Sequence, residues 1–123
     1  KIYNYYKNKL SDFSKEIKIL DFNSKISPSY HLLLASFNFK KMKISKDFLI
    51  RMLLKKKIII QQHYIPIFKF KKIFNQKIDI KNFKGTISYY DNAISLPIYY
   101  DLSRKKIDYI VKIIKDIIHK HGH

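Results

Sequence analysis

Ser45-Lys46-Asp47-Phe48-Leu49-Ile50-Arg51-Met52-Leu53-Leu54-Lys55-Lys56-Lys57-Ile58-Ile59-Ile60-Gln61-Gln62-His63-Tyr64-Ile65-Pro66 is the stretch in which the chain changes its hydrophobic period. Phe48, Leu49, Met52 and Leu53 recur at helical spacing and give one apolar face. Ser45 stands where an N-cap side chain accepts from the first turn, and Asp47 places a negative charge at the positive end of the dipole. Lys55, Lys56 and Lys57 end the helix with cations at its negative end. The β-branched run from Ile58 then reads as a strand through His63, ended by Pro66, which cannot donate to a ladder. A helix that hands over directly to a short strand indicates a mixed class, α+β or α/β.

Working outward, Tyr30 to Phe39 is rich in large apolar residues and reads as a buried strand. Before it, Asp21, Asn23, Ser24 and Ser27 form a turn region that closes at Pro28. Tyr3, Tyr6, Leu10, Phe13 and Ile17 are spaced by three and four, the stripe of an amphipathic helix. No cap precedes it and no methionine stands at position 1, so the helix is expected to continue from upstream sequence, with the chain a piece of something larger. Downstream, Phe68 to Phe83 is mixed and reads as irregular. Thr86 to Ala93 reads as a short helix, and Ile94 to Leu96 as a short strand closed by Pro97. The last segment has the clearest pattern: Ser103 caps a helix whose apolar face is Ile107, Ile110, Val111, Ile114, Ile117 and Ile118.

The composition narrows the classes. At 123 residues with 46% hydrophobic content, one domain can bury roughly two thirds of its unfolded surface, and disorder throughout is excluded. The longest apolar runs, Leu32 to Phe37 and Ile58 to Ile60, fall far short of the ~20 residues of a membrane span. There is no cysteine, which excludes disulfide scaffolds and thiolate chemistry and fits a cytoplasmic protein. With Gly85 the only internal glycine, a glycine-rich phosphate loop is excluded. Lys and Arg total 26 against 9 acidic residues, a formal charge of +17. Such a charge attracts polyanions. Only Arg51 and Arg104 are arginines, however, and arginine is the side chain suited to bidentate phosphate and base contacts. Abundant Ile, Asn, Phe and Tyr, all writable with A- and T-rich codons, offer a second explanation: codon bias that fills every solvated surface with lysine.

Few constellations could carry chemistry. His63-Tyr64-Ile65-Pro66 lies at a strand end, where polar groups face clefts; a half-buried histidine closing the strand is the plain alternative. His119, His121 and His123 alternate near the end, without a carboxylate or thiolate partner, and read as a frayed tail before a metal site. Asp79, Asp91, Asp101 and Asp108 are isolated, which does not suggest a paired-carboxylate site. The basic clusters are Lys40-Lys41-Met42-Lys43, Lys55 to Lys57 and Lys69-Phe70-Lys71-Lys72. Phe68, Phe70 and Phe74 interleave the last of these either as stacking platforms for single strands or as anchors for a loop.

In order, these pieces resemble a known family. Pro28-Ser29-Tyr30-His31-Leu32 is followed by the helix from Ser45, and then by Gln61-Gln62-His63-Tyr64-Ile65-Pro66. About thirty residues on come Ala93-Ile94-Ser95-Leu96-Pro97-Ile98-Tyr99-Tyr100-Asp101-Leu102-Ser103 and the final helix. The series resembles the carboxyl-terminal domain of the DegT/DnrJ/EryC1/StrS sugar aminotransferases, which use pyridoxal phosphate. It looks most like the branch that aminates UDP-linked 4-keto-6-deoxy sugars for pseudaminic acid or related surface glycans. One departure is Arg104-Lys105-Lys106, which stand where acidic residues are common; cations there oppose the helix dipole by about 0.3–1 kcal/mol each.

The resemblance implies an α+β fold, the small domain of a fold-type I aminotransferase: a short, mostly antiparallel sheet with helices on one face. Residues 1–17 would be the end of a long interdomain helix and 18–123 the small domain. It also implies that the large domain supplies the cofactor lysine, the acidic partner and the phosphate cradle. No catalytic, cofactor or metal residue is therefore expected here. Pyridoxal phosphate would be bound by the full-length parent and not by this chain alone, which is expected to be inactive. His63, with Tyr64 beside it, would face the nucleotide-sugar or its phosphates, and His31 is a second substrate-binding candidate. The parent would be a cytoplasmic homodimer, with neither membrane nor nucleic acid as its partner. Two rivals remain: an inert remnant or interaction domain of a split or decayed gene, and a basic nucleic-acid-binding protein.

Overall fold

The computed structural model describes residues 1–21, 28–70 and 79–122. Asn23, Ser24, Ser27, Lys71, Lys72, Phe74 and His123 lie outside the described residues. The architecture is α+β. Three strands, β1 (Ile17–Ile19), β2 (Leu33–Phe37) and β3 (Ala93–Leu96), form one antiparallel sheet in the order β1-β2-β3. The helices are α1 (Ile2–Lys9), α2 (Phe39–Met42), α3 (Lys46–Lys55), α4 (Lys84–Asn92) and α5 (Arg104–His121), with short 3-10 turns at Ser11–Phe13, Ile67–Lys69 and Ile80–Phe83.

Register follows from the two-residue alternation of side chains. Ile17 pairs with Phe37, Ile19 and Ile94 with Ala35, and Leu33 with Leu96. All these residues are buried and share one apolar face with residues of α1, α3 and α5. α5 packs against both α1 and α3. Its six expected core residues are all buried, each contributing about 1.5–3 kcal/mol. That sum far exceeds the cost of the three cations in its first turn, so the helix forms in spite of them. The Ser103 side chain accepts from Lys106 N (3.3 Å), and the Ser45 side chain accepts from Phe48 N (3.1 Å), so both expected caps are in place.

The first stripe breaks earlier than its spacing suggests. A single helix from Tyr3 to Ile17 is expected, but α1 stops at Lys9 and Ile17 opens β1. The Ser11 hydroxyl donates to the Asn8 carbonyl (2.7 Å), a local bond that competes with helix continuation. Beyond it, Ile17-Lys18-Ile19 alternates buried, exposed, buried, the strand period. Tyr3, Tyr6 and Leu10 are in the core as expected.

The segment from Ile58 to His63 is also not a full strand. It is extended, but among the described residues it pairs only at Gln61 and Ser95, through N–H···O bonds of 3.2 and 2.9 Å. The next donors on that edge of β3 are Ala93 and Pro97. The Ala93 N–H is taken by the Tyr89 carbonyl at the end of α4, and Pro97 has none. The ladder therefore has one rung. The expected strand from Tyr30 to Phe39 is likewise trimmed to Leu33–Phe37, since Tyr30 has φ 52° and Asn38 caps α2 by accepting from Lys41 N (3.0 Å).

Candidate functional site

Ser95 is the one buried polar residue among the described residues. It lies in β3 on the face opposite Ile94 and Leu96, outside the apolar core. Its backbone holds Gln61 through both bonds of the single rung. Its Oγ lies 2.8 Å from Nδ1 of His63, two residues along the held segment. One buried serine thus fixes both the backbone approach and the ring of the half-buried His63. Nε2 of His63 makes no hydrogen bond among the described residues. The His63–Tyr64 peptide bond is cis. The two rings meet edge to face at 4.6 Å and 72°, and the Tyr64 side chain is mostly exposed.

A cleft of about 530 Å³ opens beside this arrangement. It is lined by His31, Ile58, Ile59, Gln61, Ser95 and the Leu96-Pro97-Ile98-Tyr99 turn, together with Leu102, Tyr109 and Ile110 of the last segment. Lys57 and Lys106 supply its charge, and among the described residues no carboxylate lines it. The structure therefore brings His31 to the cleft wall, while His63 and Tyr64 stand outside the wall and connect to it through Ser95. His31 is not within a strand: it precedes β2, is exposed, and has Nδ1 2.9 Å from the Ser29 Oγ. The residues that sequence reasoning passed over are Ser95, Lys57, Lys106 and Tyr109. The signal for Ser95 was present: a lone small polar residue inside Ala93-Ile94-Ser95-Leu96.

Pyridoxal phosphate requires a lysine for its aldehyde, an acid for its ring nitrogen and a cradle for its phosphate. The donor set of the cleft, two lysines and no acid, does not fit that group. Lys46 is the described lysine whose burial pushes its pKa down. Its ammonium is committed to the Tyr90 carbonyl and lies 5.0 Å from the Tyr90 ring centroid, outside the cleft.

The other singled-out residues have structural work. His119 packs edge to face on Phe13 (5.3 Å) and His121 on Phe48 (5.1 Å). They face different neighbours, and because α5 is ordered through His121 they are not a frayed tail. No group of three or more metal-ligating side chains occurs among the described residues. Asp108 accepts from the Tyr5 hydroxyl at 3.0 and 3.1 Å and pairs with Lys9 at 2.8 Å, joining α1 to α5. Phe68 anchors its turn against Phe83 (5.4 Å), whereas Phe70 is exposed. No helix among the described residues is long and apolar enough to cross a membrane.

Comparison with solved structures gives the fold a setting. Spr1654 of Streptococcus pneumoniae, described as a sugar aminotransferase and solved in its PMP form, superposes with a TM-score of 0.74 at 22% identity, over 96% of this chain and 31% of that one. PseC of Helicobacter pylori, an aminotransferase involved in pseudaminic acid biosynthesis, superposes with a TM-score of 0.79 at 22% identity, over the same shares. DesI, solved with its TDP-sugar product, superposes with a TM-score of 0.80 at 11% identity, over 94% of this chain and 29% of that one. At these identities the likeness establishes the fold, and the chain spans about a third of the length of these relatives. Comparison with curated proteins returned no significant match. The sequence model of one family matches residues 1–115, nearly the whole chain and both motif stretches around His63 and Ser95. The chain belongs to the DegT/DnrJ/EryC1/StrS aminotransferase family.

Proposed function

We propose that the chain is the small carboxyl-terminal part of a sugar aminotransferase acting on a nucleotide-linked keto-deoxysugar for surface glycan biosynthesis. The segment with α1 leads in from a large domain, and the sheet that opens at Ile17 belongs to the small one. The chain supplies one wall of the substrate cleft and contacts to a second subunit, in a cytoplasmic parent. Pyridoxal phosphate belongs to the large domain of that parent, and this chain alone does not turn over. The family match over residues 1–115 and the TDP-sugar product in the DesI structure support the substrate class. PseC and its pseudaminic acid pathway support the glycan role.

The observation that carries the site is His63 held by Ser95 at 2.8 Å. With the serine hydroxyl donating to Nδ1, the ring proton rests on Nε2, which makes no other hydrogen bond among the described residues. That N–H then donates to a phosphate or sugar oxygen, a bond strengthened when the acceptor is charged. Tyr64 offers an exposed phenol beside it, and His31 a second imidazole on the cleft wall.

Titration of the chain with UDP and with a UDP-linked 4-keto-6-deoxy sugar tests this. His63→Ala is expected to weaken sugar-nucleotide binding about tenfold, in line with one charge-assisted hydrogen bond. Equal binding by His63→Ala overturns the assignment of His63. The intact mass of the native gene product tests the rest. A product several times heavier than 14.9 kDa, carrying a cofactor domain, supports the proposal; one near that mass supports an inert remnant.

A further inference from the structure

Two short turns carry apolar side chains that the core does not cover. Ile67 and Phe70 are exposed in and just after the turn Ile67–Lys69, and Ile80 and Phe83 in the turn Ile80–Phe83. Their exposures run from 41% to 61%. The Phe68 and Phe83 rings meet at 5.4 Å, so the two turns lie side by side and share one apolar surface. Lys69, Lys81 and Lys84 stand among these residues, exposed and without an ion pair among the described residues. Asp79 alone is acidic in residues 66–70 and 79–84, and its carboxylate is occupied in accepting from Lys81 N (3.0 Å). The turns also bond within themselves. Lys69 N donates to the Pro66 carbonyl (2.9 Å), Phe70 N to that of Ile67 (3.0 Å) and Asn82 N to that of Asp79 (3.1 Å).

We propose that this surface docks on an anionic lipid bilayer, with Ile67, Phe70, Ile80 and Phe83 entering the headgroup region and Lys69, Lys81 and Lys84 held at the lipid phosphates. Charge decides for an anionic surface: a formal +17 is drawn to one, and a second copy of the chain would be repelled. The turns themselves decide for lipid over an acidic protein. Backbone N–H groups that already have acceptors lose little on leaving water, and a lysine stem can lie along the apolar layer with its ammonium at the phosphates. A protein partner would instead have to supply a matched pocket for each protruding side chain. The contact is interfacial and needs no spanning helix. It departs from the expectation, drawn from the resemblance, of a parent without a membrane partner. The surface shares no residue with the cleft or with the His63–Ser95 pair, so it stands or falls apart from the substrate site.

The probes are vesicles of phosphatidylcholine alone and of equimolar phosphatidylcholine and phosphatidylglycerol, sedimented with the full chain at fixed ionic strength. Binding to the anionic vesicles is expected to exceed that to the neutral ones by about tenfold or more. The double variant Ile67→Ser/Phe70→Ser, with its circular dichroism unchanged, is expected to weaken anionic-vesicle binding about tenfold. Leu54→Ser/Tyr100→Ser removes two exposed apolar side chains elsewhere and is expected to change it by less than about twofold. Lys69→Gln/Lys81→Gln is expected to cost about fivefold more than Lys40→Gln/Lys55→Gln, which removes the same net charge away from the surface. Because the chain has no tryptophan, Phe70→Trp gives a single reporter. Its emission is expected to move to shorter wavelength on anionic vesicles and to be quenched by brominated acyl chains. No binding, unshifted emission, or equal losses in the two lysine pairs would each overturn the proposal. Equal binding by the native chain and the Ile67→Ser/Phe70→Ser pair would also overturn it, marking adsorption by charge alone and leaving the apolar surface to an acidic protein. His63→Ala is expected to bind the vesicles normally.

Discussion

Replacing Ser95 with alanine removes one oxygen from a position that is 4% exposed, and little else, since the backbone rung to Gln61 needs no side chain. The lost interaction is the 2.8 Å contact with Nδ1 of His63. A buried neutral hydrogen bond contributes about 0.5–1.5 kcal/mol net. Because His63 is only half-buried, water can partly replace the serine, which places the cost in the lower part of that range, about 0.5–1 kcal/mol. For a chain of this size the melting midpoint should fall by about 2–5 °C. Urea unfolding followed by far-UV circular dichroism measures this, provided the slope with denaturant is unchanged. The decisive form is a double-mutant cycle with His63→Ala. If serine and imidazole stabilise each other, the two substitutions together cost less than their sum by about 0.5–1 kcal/mol. Imidazole nitrogen shifts provide a second readout, because Ser95→Ala should release the ring from a single tautomer. Additive costs with an unchanged tautomer would refute the claim that Ser95 positions His63.

Other positions give independent tests. Tyr6 is fully buried and its hydroxyl donates to the Pro97 carbonyl (3.0 Å), tying α1 to the end of β3. Tyr6→Phe leaves that carbonyl unpaired and is expected to cost about 1–2 kcal/mol in urea unfolding. The Lys9 ammonium, followed by the Tyr5 hydroxyl, holds the Asp108 carboxyl below its ordinary pKa. A depressed folded pKa gives stability that is present above the unfolded value of about 3.9 and lost as pH falls through the folded one. The urea midpoint of the native chain should therefore drop more steeply than that of Asp108→Asn as pH falls below about 4. Lys43 ends α2 in the left-handed region at φ 52° with an exposed side chain. Lys43→Gly, which relieves the Cβ clash there, is expected to raise stability by about 0.5–1 kcal/mol. No gain in the urea midpoint would count against strain at that position.

The long-period features were legible from residue order. The apolar face of α5, the caps at Ser45 and Ser103, and the short strand closed by Pro97 all lie where periodicity and cap chemistry put them, because each depends on residues a few positions apart. The His63 and Ser95 stretches were visible as motifs, and the family match over residues 1–115 agrees with the resemblance they carry. What failed depended on partners distant in sequence. Ile58 to His63 has strand composition, yet its ladder is cut to one rung by groups more than thirty residues away, the Ala93 N–H spent on α4 and the missing N–H of Pro97. His31 has apolar neighbours, yet it lies outside β2, since the register of Leu33 against Leu96 starts the strand two residues later.

By itself, the sequence determined which segments carry an apolar face, where two helices begin, and that lysine dominates the charge. Those properties are set by local spacing and side-chain chemistry. Only the tertiary structure decided that α1 ends at Lys9, that Ser95 holds His63, and that Lys57 and Lys106, 49 positions apart in the chain, line one cleft. Such placements depend on which backbone groups remain free to pair and on which surfaces the core brings together, and no window of neighbouring residues contains that information.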